Sequence, residues 1–191
     1  MSDTPTRQKN DWYPTPPEAT QKLLEAEPFH GVIWEPAAGD GALCEVLREA
    51  GHSVIASDLN EYGYCKAGVD FLLESKLPEV HGPVTNLITN PPYKLAEQFI
   101  QKAIDLGVRK HAWLLRLAFL EGAARHESLF KHNPPSRVHV FSKRLTIWRG
   151  DESPNDKTIG GKEPRGTTAY AWFVWDQPYG KLRLKPRINW I

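Results

Sequence analysis

Short apolar runs alternate along the chain with amphipathic stretches, and that alternation predicts a repeating strand-helix unit. Residues 31–35, 53–57, 84–89 and 111–117 are runs of apolar and β-branched residues bounded by Gly, Pro, Asn or Asp, the pattern of short buried strands. Between them, residues 42–50 and 95–106 carry apolar positions at helical spacing, the second ended by Gly107. Ahead of the first strand a helix is predicted from residue 15 to about residue 27, with Thr15 and Glu18 at capping-box spacing and prolines in its opening turn. Beyond 117 the pattern predicts a helix over 121–130, broken by Asn133-Pro134-Pro135, then a strand over 138–141 continuing toward Trp148. Residues 169–175 alternate and are aromatic, so they read as a late strand against the sheet. Strands alternating with helices predict one α/β domain with a mostly parallel, twisted sheet and helices on both faces.

Other segments carry no such period. Residues 1–10 are polar and predicted to be loose. Residues 149–167 are rich in Gly, Pro and charge, a loop too long to be a mere connector. Residues 181–191 form a basic tail, with Lys181, Arg183, Lys185 and Arg187 and no acid.

Composition narrows the function. The 191 residues suit a single domain, and a net charge of +1 excludes gross electrostatic attraction to nucleic acid, so binding of that kind needs a local patch. Cys44 and Cys65 show no Cys-x-x-Cys spacing and read as free thiols in a reducing compartment. The seven histidines lack metal-ligand spacing, so no metal site is expected. With no run of about 18 apolar residues and no N-terminal apolar segment, a cytoplasmic protein is expected.

The candidate chemistry sits where predicted strands end. Strand 31–35 runs into Glu35-Pro36-Ala37-Ala38-Gly39-Asp40-Gly41, an acidic small-residue turn before a helix. Such a turn belongs to nucleoside-binding α/β units, yet Cys44 occupies the third glycine position and two acids would repel a pyrophosphate, so a ligand carrying positive charge fits better. Asp58 lies nineteen residues beyond Gly39, the offset of a strand-end acid that bonds ribose hydroxyls; a solvated loop acid is the plainer reading. Asp70 and Phe71 pair an acid with an aromatic, or Asp70 caps the following turn. Strand 84–89 ends in Asn90-Pro91-Pro92-Tyr93. There the Asn90 amide oxygen and the Pro91 carbonyl could accept both N–H bonds of a conjugated amine and favour its pyramidal form, while Tyr93 offers a face for an aromatic base. The plainer reading has Pro-Pro ending the strand and Asn90 capping the next helix.

Taken in order, Asp11-Trp12-Tyr13-Pro14-Thr15-Pro16, the Glu35–Gly41 turn, Asp58, Asp70-Phe71 and Asn90-Pro91-Pro92-Tyr93 resemble the S-adenosylmethionine-dependent amino-methyltransferases. Among them the chain is most similar to the DNA adenine N6-methyltransferases, especially small phage and prophage enzymes. Arg116–Glu121 and Ser142–Leu145 resemble later segments of that family. The resemblance implies a Rossmann-like class I methyltransferase fold, doubly wound, with seven strands and an antiparallel last strand that residues 169–175 would supply. It implies S-adenosylmethionine as cofactor, its methionine end held by Tyr13, Thr15, Pro16, Glu35, Pro36, Ala37, Gly39 and Gly41, its ribose by Asp58, its adenine by Asp70 and Phe71. Asn90, Pro91, Pro92 and Tyr93 would be the catalytic corner that receives an extruded adenine.

Larger members of that family add a target-recognition domain, for which this sequence has no separate residues. Substrate contacts therefore fall to Arg149, Lys157, Lys162 and Arg165 of the long loop and to the basic tail. The expected partner is nucleic acid, DNA first, in a bacterial or phage-infected cytoplasm. An RNA adenine methyltransferase, a protein glutamine methyltransferase and an inactive binding remnant stay open as alternatives.

Overall fold

The computed structural model describes residues 12–79, 83–148, 168–176 and 185–191. Seven strands, β1 (Val32–Glu35), β2 (Val54–Ala56), β3 (Val84–Thr89), β4 (Lys110–Arg116), β5 (Arg137–Val140), β6 (Tyr170–Asp176) and β7 (Arg187–Trp190), form one sheet in the order β2-β1-β3-β4-β6-β5-β7. Neighbours among β1 to β4 pair in parallel, β6 is antiparallel to both β4 and β5, and β7 is parallel to β5. Among the described residues four α-helices accompany them: α1 (Pro17–Ala26), α2 (Ala42–Glu49), α3 (Ala96–Asp105) and the single turn α4 (Ala123–Arg125), which widens at once into a π turn at His126–Phe130.

The strand period of two explains why both faces are covered. Ile33, Ile88, Ala112, Leu114, Trp172 and Val174 point to one face, where Ala19 and Leu23 of α1 and Leu43 and Leu47 of α2 pack on them. Trp34, Leu87, Trp113, Leu115, Phe173 and Trp175 alternate with these and meet Phe99, Ile100 and Ala103 of α3 and Leu129 of the π turn. A fully buried indole must place its N–H. Trp34 donates to Ser57 Oγ, Trp113 to His111 Nδ1, and Trp172 to the Ala19 carbonyl.

Four sequence expectations need correction. The capping box does not form: Pro16 is the N-cap of α1 without a side-chain bond, Glu18 is exposed, and Thr15 is buried. Fixed proline φ values start this helix without a side-chain cap. No strand runs on toward Trp148; residues 141–148 are irregular, with Leu145 buried in the α1/α2 face. The antiparallel strand is residues 170–176 as read, but it is not the last. Residues 187–190 of the basic tail add β7 beside β5, because Arg187-Ile188-Asn189-Trp190 alternates polar and apolar, and charge suits an edge strand. The long-loop residues 149–167 and loose residues 1–10 lie outside the described residues.

Strand direction then sorts the polar residues. Glu35, Asn90 and Arg116 stand at or just past the C-terminal ends of β1, β3 and β4, whereas Lys110 and Arg137 open β4 and β5 at the opposite edge. Ligands of open α/β sheets bind at the first of these edges.

Candidate functional site

Beyond the strand ends lies a cleft of about 860 Å3, counted to its open mouth and including solvent there. Its walls combine five separate stretches of sequence: 12–15, the 35–43 turn, 58–62, 70–72 and the 90–99 corner with the start of α3. Gly39 and Gly41 both have positive φ, 55° and 87°, which lets the turn fold back tightly before α2. A Cβ at Gly41 would stand 2.3 Å from the Tyr64 ring, so this glycine packs the turn rather than facing the cleft.

Asp58 is buried and stitches two loops together, Oδ2 accepting from Gly39 N at 2.9 Å and Oδ1 from Asn60 N at 2.7 Å. It is no solvated loop acid. Glu35 is 1 % exposed; Oε1 accepts from Ala37 N at 3.2 Å, and Oε2 accepts no hydrogen bond among the described residues. Burial pushes the Glu35 carboxyl up to about 8, opposed by the Thr89 hydroxyl and the Ala37 amide and aided by the charge of Asp58. A raised carboxyl pKa favours the fold below the unfolded value near 4.5 and loses that contribution as pH climbs toward 8. Glu35→Gln is therefore expected to match wild type near pH 4.5 and to exceed its stability at pH 8.5 by on the order of 3–5 kcal/mol. Denaturant melts across that range check this, and a gap independent of pH would rule it out.

Asn90 does not cap a helix. A 3-10 turn at Tyr93–Leu95 intervenes, and Leu95 is the N-cap of α3 without a side-chain bond. Instead Asn90 Nδ2 donates to the Tyr13 carbonyl at 2.9 Å. A carbonyl can only accept, so this contact fixes the amide orientation and leaves Oδ1 as an acceptor. Asn90 and Pro92 line the cleft. Tyr93 faces a second, more open cavity with Lys94, Leu115, Arg116, Phe119 and Arg125. The corner thus stands between two cavities. Tyr13 stacks on Tyr93 with centroids 6.0 Å apart, and the Arg116 guanidinium lies 5.2 Å from the Tyr93 ring centre. Burial and the neighbouring Tyr170 hold the Tyr93 phenol well above its usual range, so it stays neutral.

Of the residues singled out from sequence, Tyr13, Thr15, Glu35, Pro36, Ala37, Gly39, Asp58, Asp70, Phe71, Asn90 and Pro92 line the cleft together. Pro16, Gly41 and Pro91 are not among its lining residues. Asp70 caps its own turn, accepting from Leu72 N at 2.9 Å, as the plainer reading had it. Phe71 is largely core, packed against Trp34 and Phe99. Arg149, Lys157, Lys162 and Arg165 lie outside the described residues.

Sequence reasoning missed Leu59, Asn60, Tyr62, Leu95 and the second cavity's Lys94 and Arg125, and it read Phe119 only as part of the 116–121 segment. Leu59 could have been found as an apolar residue directly after the strand-end acid. Trp12 had been read only as part of a motif, yet its ring covers Gly39 and packs on Tyr62 at 4.8 Å, with Nε1 buried and unpartnered among the described residues. No group of three His, Cys, Asp or Glu side chains there could hold a metal ion, and no helix there is long and apolar enough to cross a membrane. Both cysteines are free thiols.

No protein-family model matches the chain, and no curated protein matches it. Solved structures do. The Pyrococcus horikoshii protein PH1948, assigned as an RNA methyltransferase, is 16 % identical with a TM-score of 0.59 over 88 % of this chain and 87 % of its own. A Vibrio vulnificus YJ016 protein assigned as the modification subunit of a type I restriction enzyme is 12 % identical with a TM-score of 0.56, covering 94 % of this chain and 47 % of the other. The type I restriction-modification methyltransferase subunit of Streptococcus thermophilus gives 13 %, 0.53, 86 % and 45 %. This chain spans under half of those two subunits. At such identities the likeness establishes the fold, and the fold is the Rossmann-like class I methyltransferase fold.

Proposed function

We propose that the chain transfers a methyl group from S-adenosylmethionine to the exocyclic N6 amine of adenine in nucleic acid, with DNA as the first candidate. The observation that carries this reading is the Asn90 amide, held by the Tyr13 carbonyl so that Oδ1 is an acceptor on the wall between two cavities.

The cleft fits S-adenosylmethionine by the chemistry of its walls. A cationic group bound beside the buried Glu35 carboxyl would draw it back to its charged form, and two acids beside the glycine turn argue against a pyrophosphate. Asp58 keeps lone pairs beyond its two backbone contacts for ribose hydroxyls, and Leu59 and Leu72 offer apolar surface to a base. When bound, the cofactor supplies an electrophilic methyl group. The chain's own work is to make the amine nucleophilic. Oδ1 of Asn90 and the Pro91 carbonyl accept its two N–H bonds, which localises the lone pair away from the ring. As that nitrogen becomes tetrahedral it gains positive charge, which both acceptors stabilise more than they stabilise the flat ground state. It returns to neutral by releasing one of its two protons to solvent as its bond to the methyl group replaces the methyl–sulfur bond.

Aromatic and cationic residues around Tyr93 favour a nucleobase with phosphate over a glutamine side chain. The test offers plasmid DNA, RNA and protein extract in parallel with methyl-labelled S-adenosylmethionine. Label in N6-methyladenine of DNA is expected; label in RNA alone or in glutamine moves the reaction to those substrates, and no label in any arm overturns the reading.

A further inference from the structure

The second cavity holds three cations, Lys94, Arg116 and Arg125, and no acidic side chain among its lining residues. Arg125 is already engaged: its guanidinium donates to the Phe119 and Glu121 carbonyls, lies 3.8 Å from Glu97 and covers the Phe119 ring at 4.1 Å. Lys94 and Arg116 are exposed and make no ion pair among the described residues. In a chain of net charge +1, two unpaired cations at the rim of an aromatic cavity form a local patch, and a patch of that kind recruits an anion. Arg116 has one further property: its guanidinium rests over the Tyr93 ring, on the residue that an incoming base would use for stacking.

We infer that this cavity is a nucleotide subsite in which the base displaces Arg116 from Tyr93, and Arg116 then joins Lys94 on the nucleotide's phosphate. This rests on the reading of Tyr93 as part of a base-receiving corner, and it adds which residues contact phosphate and what keeps the pocket filled before substrate arrives. A planar guanidinium is a suitable stand-in because it stacks on an aromatic face as a base does and also forms paired bonds to phosphate oxygens. Lys94, next in sequence to Tyr93, places a point charge at the same rim.

The stand-in role has a signature that a structural role lacks, because one substitution must act in opposite directions on two ligands. Adenosine and adenosine monophosphate are titrated into the full chain, with the first cleft filled by S-adenosylhomocysteine, and followed by NMR. Wild type is expected to prefer the monophosphate by about tenfold or more. Arg116→Ala should bind adenosine about two- to fivefold more tightly, since the competitor for Tyr93 is gone, while losing most of the phosphate preference. Arg116→Lys should keep the phosphate preference yet bind adenosine as the Ala variant does, and Lys94→Ala should reduce the preference without helping adenosine.

Equal weakening of both ligands by Arg116→Ala, or a preference that survives in both Ala variants, overturns the inference while leaving the proposed methyl transfer standing. A chain that does not take S-adenosylhomocysteine removes the reading on which this one rests.

Discussion

Asn90→Ala is expected to lower the rate of methyl transfer by roughly 10²–10³-fold while cofactor affinity stays within a few-fold of wild type. The side chain has two jobs, and they separate. Nδ2 holds the Tyr13 carbonyl, which positions the 12–15 wall of the cleft, and Oδ1 accepts from the amine. Alanine removes both. Asn90→Asp keeps an acceptor but sets a carboxylate against the Tyr13 carbonyl, so it should loosen cofactor binding more than alanine does and retain more turnover. Single-turnover rates and calorimetry on the two variants decide which job matters. If Asn90→Ala keeps a tenth of wild-type turnover, the amide is not the acceptor that drives the reaction.

Most of the candidate site was legible because the residues lining the cleft sit at strand ends, where sequence pattern is strongest. The 84–89 run ends at Thr89 in the structure as in the sequence, since two prolines leave the strand nowhere to continue. Glu35 and Asp58 were legible for the same reason, each being the first acid at or past an apolar run. Three things were not. The Asp58 bonds to Gly39 and Asn60 depend on two loops meeting, which no local pattern encodes. Strand β7 was hidden by its charge: four basic residues in eleven read as a solvated tail, and only pairing with β5 makes Ile188 and Asn189 a strand. Finally, the orientation of Tyr93 into a second cavity depends on Arg116 at the end of β4, twenty-three residues away.

The same limit hid the group that holds the opposite edge of the sheet. Glu27, just past α1, is 3 % exposed and accepts from Lys110 Nζ at 2.7 Å, from Arg137 through both Nε and an NH2 group, and from His139 Nε2 at 2.8 Å. Arg137 continues to Asp176 at 2.8 Å, so one carboxylate ties the loop after α1 to β4, β5 and, through Arg137, β6. From sequence, these are scattered charges up to 112 residues apart. Burial by itself would raise the Glu27 carboxyl, but hydrogen bonds from His139, Arg137 and Lys110 outweigh it and hold the pKa at about 2.

Because that pKa is depressed, the contribution to stability is present above the unfolded value of 4.5 and disappears as pH falls through about 2. Glu27→Ala also strands Lys110, Arg137 and His139 without their shared acceptor, and breaking a buried network of this kind costs about 3–5 kcal/mol. In a chain of this size that corresponds to a melting temperature lower by roughly 6–20 °C at pH 7. The variant should approach wild type in acid, where the native carboxylate itself takes up a proton. Thermal melts at pH 7 and across the acid range check both limbs. A deficit that stays constant into the acid range would mean that Glu27 acts by packing rather than by charge. The cleft lies at the other edge of the sheet, so cofactor affinity measured well below the lowered melting point should be unchanged.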